Sequence, residues 1–230
     1  MKRFLIALSA VALLSGCTCS VNLGKGFGDG KRIVCKGEVQ ERLLDNLSGF
    51  ESISVSGQAD IKYVQSAQEY VRVKANAEVF DYLDFKVQDG TLLIKTKDKV
   101  RIKADEFEIY VGSKVLRELS VSGAADVDLA HIHSAEDLSV SISGAGDCEM
   151  KDIQVPCLTY SVSGAGDLDA RELDVEKLYV SISGAGDADL SGKAGYASLS
   201  VSGAGNIDAR QLDCPQIERR KSGIASIKTK

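Results

Sequence analysis

The chain reads as an all-β protein: a right-handed parallel β-helix wound in coils of about 20 residues. Three observations predict it. First, a Ser-Gly pair recurs at near-constant pitch, with Gly123, Gly144, Gly164, Gly184, Gly203 and Gly223 separated by 21, 20, 20, 19 and 20 residues. Second, aligning the copies on that pair leaves columns of one chemical kind. Val121, Ile142, Val162, Ile182 and Val201 form one; Leu119, Val140, Tyr160, Val180 and Leu199 form another; Ser120, Ser141, Ser161, Ser181 and Ser200 lie between them. Alternation of period two puts the apolar columns inside and the serines outside. Third, the composition is rich in glycine (22 residues) and poor in aromatics (6%, no Trp), which suits tightly turned coils better than a helical globule. A 20-residue coil has a perimeter of about 65 Å, room for three short strands and three bends, and coils stack ~4.8 Å apart. The pitch is no multiple of six and apolar hexads are missing, which argues for the wider right-handed helix over the hexapeptide left-handed one.

From the N-terminus, residues 1–16 read as a lipoprotein signal peptide. Lys2 and Arg3 precede an apolar run from Phe4 to Leu14, too short to cross a bilayer as a helix. Leu14-Ser15-Gly16-Cys17 then matches a lipobox, and Cys17 is the residue expected to be acylated. Several acyl chains anchor stably, each buried CH₂ contributing ~0.8 kcal/mol. Residues 17–37 read as the acylated cysteine and a tether carrying Gly24, Gly26, Gly28 and Gly30. Residues 38–230 read as a single β-helix domain. Within it, 38–116 are expected to be wider, less regular coils: Ile53–Gly57 and Tyr70–Lys74 alternate, and Asp89-Gly90 is a hairpin signal between apolar runs. Regular coils occupy 117–214. Residues 215–230 read as a C-terminal cap, because Arg219, Arg220 and Lys221 stand where earlier copies carry Leu or Val, Ser, and Val or Ile, and charge blunts an open sheet edge.

Four copies read Ser-Gly-Ala-Gly followed by Asp or Asn. The turn-forming residues are therefore Gly123, Gly144, Gly146, Gly164, Gly166, Gly184, Gly186, Gly203 and Gly205, with Asn206 after the last. Two acidic columns follow them: Asp126, Asp147, Asp167, Asp187 and Asn206 first, then Asp128, Glu149, Asp169, Asp189 and Asp208. Stacked acids of this kind are a candidate ladder for Ca²⁺ or another hard cation. The competing reading makes the first column backbone caps at the corners and the second a solvated face. Asn206 favours caps, since an amide accepts a hydrogen bond but brings no charge. No cofactor is otherwise implied. Lys151, Arg171 and Arg210 fall in one column and offset neighbouring acids. His131 and His133 flank an inward Ile132 and face solvent. Cys148 and Cys214 stand in inward columns as small hydrophobes, while Cys157 stands at an exposed position. With Cys17 acylated, five thiols remain and at least one is unpaired.

These features together resemble one family. The lipobox, the Gly-rich spacer, Phe50–Ile53 leading to Val55-Ser56-Gly57, then Asp89–Ile94, then repeated Val-Ser-Gly-Ala-Gly-Asp coils are similar to the auto-transporter adhesin "head GIN" domain of Bacteroidetes envelope proteins. The resemblance covers residues 38 to 230. It implies a right-handed, pectin-lyase-like β-helix, a role in adhesion and no established catalytic residue. Asp outnumbers Asn at the stacked corner position here, a departure from that family's pattern.

A formal charge of -5 lacks the basic stripe a nucleic-acid binder needs. The favoured reading is a non-catalytic lipoprotein of the cell envelope, expected at the outer membrane, presenting a rigid β-helix to glycan or protein partners. Two alternatives remain: a polysaccharide lyase or hydrolase, and a structural protein that associates with copies of itself. The enzyme is disfavoured because its acids spread along a ladder instead of converging, and sugar-stacking Trp is absent. The segment after Cys17 has no acidic cluster, so the face of the membrane it serves, periplasmic or external, stays open.

Overall fold

The computed structural model describes residues 20–22, 31–97 and 100–230. In chain order the strands are β1 (Ser20–Asn22), β2 (Lys31–Cys35), β3 (Val39–Leu43), β4 (Ser52–Gln58), β5 (Asp60–Gln65) and β6 (Tyr70–Asn76). A 3₁₀ turn (Ala77–Tyr82) leads to β7 (Leu83–Gln88), β8 (Thr91–Thr96), β9 (Val100–Ala104) and β10 (Phe107–Ser113). The coils follow as β11 (Glu118–Ala124), β12 (Val127–His133), β13 (Leu138–Ala145), β14 (Cys148–Ala165), β15 (Leu168–Ala185), β16 (Ala188–Asp213) and β17 (Ile217–Thr229). The fold is a β-solenoid of about 6 turns.

The predicted columns are physical rows. Val121, Ile142, Val162, Ile182 and Val201 pair coil to coil in parallel register, and each is at most 1% exposed. The Leu119 row, with Tyr160 in it, runs beside them and is equally buried. The side chains of these rows stack on their counterparts in neighbouring coils, so one continuous core runs along the axis.

The glycines are needed chiefly because stacked backbones approach closely. A Cβ on Gly164 would lie 2.0 Å from the carbonyl oxygen of Gly144, and one on Gly166 would lie 2.1 Å from that of Gly146. Gly164 also sits at φ +138°, which L side chains avoid. In the fourth regular coil Gly192 takes the place that Ile132, Ile153 and Leu173 hold in earlier ones, and the register slips between Ala170 and Leu173. That coil is the 19-residue one, so it has one residue fewer to span the same side.

Two expectations need correction. Residues 31–37 are not tether: β2 pairs in parallel with β9 and antiparallel with β1, and Ile33 and Cys35 are fully buried in the common core. The apolar alternation of Ile33 and Cys35 is what draws this segment in. Residues 23–30, where the glycines cluster, and Cys17 lie outside the described residues.

Residues 38–116 are not wider coils. β4 and β5 already stack in register on β11 and β12, with Gly57 under Gly123. The later strands β8 and β10 then lie parallel to β4 and β5 on their other side. Layer order therefore departs from chain order. β7 on β8, and β6 and β3 beyond β10, are antiparallel and close this end of the stack. The reversal at Asp89-Gly90, both at positive φ (50° and 73°), makes the β7–β8 hairpin.

At the other end β17 stacks on β16 over its whole length. Arg219 and Lys221 follow Leu199 and Val201 in the inward rows, and Arg219 Nη1 donates to Thr229 Oγ1 at 3.1 Å across the end of the core. Leu199, Val201 and Ile207 in the coil below are buried, while Arg219 and Lys221 are themselves exposed.

Candidate functional site

The richest chemistry lies on the side that follows each Ser-Gly-Ala-Gly corner. In the first acidic column each carboxylate reaches up to the next coil. Asp126 Oδ1 accepts from Asp147 N (3.0 Å), Asp147 Oδ1 from Asp167 N (3.0 Å), Asp167 Oδ1 from Asp187 N (2.7 Å) and Asp187 Oδ1 from Asn206 N (2.8 Å). Asn206 Nδ2 also donates to Asp187 Oδ1 at 2.9 Å. The caps thus bridge successive coils, whereas the sequence reading placed each within its own corner. Asn serves at the top because it gives a hydrogen bond to the acid below without adding charge.

The second column stacks Asp128, Glu149, Asp169 and Asp189 in register, with Asp208 in the following coil. Lys62 precedes Asp128 in the same row and Lys228 follows Asp208, so a cation stands at each end of the acidic run. Asp169 is held by Arg171, with Nε to Oδ1 at 2.8 Å, and Asp208 by Arg210, with Nε to Oδ1 at 3.0 Å. Asp208 is depressed to about 2, chiefly by the Arg210 side-chain bond and then by a bond from the Arg210 backbone. Lys151 and Arg171 stack as predicted, but the short coil interrupts the cationic column before Arg210. These pairs are exposed and individually weak.

Both columns, from Asp126 to Asp187 and from Asp128 to Asp189, line a shallow groove of about 650 Å³. At its lower end Lys62 Nζ bonds Glu108 Oε1 at 2.6 Å, and Tyr110 donates to Glu108 Oε2 at 2.8 Å. Those two bonds hold the Glu108 carboxyl below its ordinary range. Desolvation, then the charges of Asp126 and Glu108, push Asp60 up. Among the described residues no group of three or more His, Cys, Asp or Glu is arranged, as it stands, to hold a metal ion.

Beneath this face Cys148 is buried as expected, and desolvation pushes its thiol well up, keeping it protonated and inert. The Tyr160 hydroxyl is buried near it with no hydrogen-bond partner among the described residues. Cys157 is half-buried beside Lys177, and Cys214 is only half-buried, its thiol donating to the Gln216 carbonyl at 3.2 Å.

The structure adds a cluster that the sequence reading left as two separate solvent-facing histidines. His131 Nδ1 and His133 Nε2 both bond the carboxylate of Asp152 in the next coil, at 2.7 and 2.9 Å. The signal was available: Asp152 follows His131 by 21 residues, the interval between Gly123 and Gly144. A second addition is the half-exposed pair Tyr179 and Tyr196, whose ring centroids are 6.0 Å apart.

Residues 49–230 match the family described as "Putative auto-transporter adhesin, head GIN domain". The chain belongs to this family. Residues 1–18 match the prokaryotic membrane lipoprotein lipid attachment site, which makes the protein a lipid-anchored component of the cell envelope. No helix among the described residues is long and apolar enough to cross a membrane.

Several solved structures share the fold. One titled a putative lipid binding protein, from Parabacteroides distasonis ATCC 8503, superposes with a TM-score of 0.74 at 22% identity, covering 87% of this chain and 100% of that one. A putative adhesin from Parabacteroides merdae ATCC 43184 gives 0.72 at 22% identity, covering 86% and 83%. Another from Bacteroides fragilis NCTC 9343 gives 0.63 at 17% identity, covering 86% and 100%. Identities this low establish the shared fold and nothing finer. No functionally curated protein matches the sequence.

Proposed function

We propose that this head-GIN protein is a non-catalytic binding module of the outer membrane, held there by lipid on Cys17, that presents the side of its solenoid to a glycan or protein partner. The observation that carries the reading is the repetition of like polar groups, one per coil, at near-constant pitch. The Ser122, Ser143, Ser163, Ser183 and Ser202 row and the row of Asp128, Glu149, Asp169, Asp189 and Asp208 each offer one group per coil on a rigid frame. Contacts repeated along such a row add by effective concentration, so weak single contacts give useful avidity. The acids along the groove lie in a line facing water; a glycosidase needs two carboxyls placed on opposite sides of one bond. The adhesin and lipid-binding descriptions of relatives point the same way.

The test is a glycan array and an envelope-protein pull-down with the lipidated chain on vesicles, plus protease shaving of intact cells. Specific retention that falls when Asp169 and Asp189 are changed to Asn supports the reading. Turnover of uronic-acid polymers, or a chain never reached by external protease, would displace the adhesive role. Calcium is examined on the same material. A rise in melting temperature at millimolar Ca²⁺ that vanishes in Asp147→Asn plus Asp167→Asn gives the acidic columns a cation. An unchanged value leaves them as backbone caps and a solvated face.

A further inference from the structure

We propose that the outward face of the small β1–β2–β9 sheet is a membrane-contact surface, which rests on the phosphate headgroups of anionic lipids beside the point where the chain is anchored. The inference rests on the reading that Cys17 carries the lipid. β1 fixes where that anchor lies. Ser20, Val21 and Asn22 pair antiparallel with Val34, Ile33 and Arg32, so the chain is docked on the domain three residues after Cys17. Three residues span at most about 11 Å. The acyl chains therefore begin close to Ser20, which adjoins Val34, which in turn adjoins Lys103. A link that short keeps this sheet at the bilayer surface, whereas a tether running from 17 to 37 would let the domain stand well clear of it.

The chemistry of the face fits that neighbour. Ile33, Cys35 and Ile102 are buried in the core, so alternation turns Arg32, Val34, Arg101 and Lys103 outward. Arg32 and Arg101 lie side by side, Lys36 follows the end of β2, and all four cations are exposed. The three strands contain no Asp or Glu; Asp29, Glu38, Asp98 and Asp105 fall outside them. Among the described residues none of the four cations is in an ion pair. Several exposed arginines elsewhere are matched to acids: Arg117 to Glu51 and Glu136, Arg171 to Asp169, Arg210 to Asp208. Like charges on neighbouring strands repel, and an anionic surface relieves that repulsion. Each Lys or Arg beside an anionic leaflet favours that position by about fivefold. Acyl chains already give the anchor its strength, so the cations decide orientation. They select this face, over the acidic columns, as the one turned to the lipid.

The experiment places the lipidated full chain in vesicles of phosphatidylcholine, alone or mixed with phosphatidylglycerol, and follows lysine acetylation by mass spectrometry. Lys36 and Lys103 are expected to react at least about fivefold more slowly in the mixed vesicles than in the neutral ones. Lys177 and Lys193, exposed on β15 and β16, should keep one rate in both. At about 1 M salt, where the screening length is ~3 Å, the difference should vanish. Arg32→Gln plus Arg101→Gln removes two of the four cations, weakens docking by about 25-fold and restores most of the reactivity. Flotation with the vesicles at high salt reports the acyl anchor separately. A chain that does not float has lost the anchor, and this inference falls with it. A chain that floats, yet whose Lys36 and Lys103 react equally in both vesicles, overturns this inference alone. Slow reaction already in neutral detergent would mean that a second copy or another segment covers the face, and overturns it too. No glycan or protein partner is present, so the outcome is independent of the adhesive role.

Discussion

Substituting Gly164 by Ala tests whether close stacking, more than turn geometry, explains the repeated glycine. The added Cβ would lie 2.0 Å from Gly144 O and 2.9 Å from its carbonyl carbon. An ordinary carbon–oxygen contact is about 3.3 Å, so the two coils must part locally by about 1.3 Å. Three bonds across the same junction are then stretched: Gly146 N to Ala165 O (3.2 Å), Cys148 N to Asp167 O (2.8 Å) and Asp167 N to Asp147 Oδ1 (3.0 Å). Losing two or three at about 1 kcal/mol each, with about 1–3 kcal/mol of backbone strain at φ +138°, amounts to about 3–6 kcal/mol. Gly90 is the control. It too has positive φ (+73°), but a Cβ there meets nothing within 4 Å, so Gly90→Ala should cost only about 1–2 kcal/mol. Urea unfolding followed by circular dichroism measures both. If Gly164→Ala costs no more than Gly90→Ala, the close approach of stacked backbones is not what the glycine column serves.

Other outcomes follow from the same structure. Arg219→Leu with Lys221→Val extends the inward apolar rows to the open edge of β17, and sedimentation should show end-to-end association absent from the parent; a monomeric double variant would mean that these cations do not guard the edge. Tyr160→Phe removes a buried hydroxyl without a partner among the described residues, so thermal unfolding should show stability equal to or above the parent by up to about 1–3 kcal/mol; a clear loss would reveal a bond to the hydroxyl, through water or otherwise. Asp208 is depressed from 3.8 to about 2, so its stabilising effect is complete above the ordinary carboxylate range and is lost as pH falls toward 2. Carboxyl-carbon NMR should place its midpoint near the lower value and return it toward 3.8 in Arg210→Ala; an unmoved midpoint would remove Arg210 as the cause.

The regular coils were legible because each repeats the same local problem. A buried row demands the same small aliphatic at the same phase, so Val121 through Val201 announce both strand and register, and the glycine pitch announces coil length. The lipid-attachment signal was equally local, being a run of adjacent residues. What sequence could not order was residues 31–116. The alternation in Tyr70–Lys74 and Phe85–Val87 marks strands, but strand propensity is indifferent to whether the neighbour runs parallel or antiparallel. Only tertiary packing placed β8 and β10 beneath the earlier β4 and β5 and closed the stack with antiparallel strands. The sites divide in the same way. Acidic columns are visible one-dimensionally, since stacking multiplies each residue at a fixed interval. Which atom an Asp satisfies, a backbone N–H one coil away or an arginine two residues on, and that two histidines share one carboxylate, depend on side-chain direction between coils, and distance in space decides those bonds where distance along the chain does not.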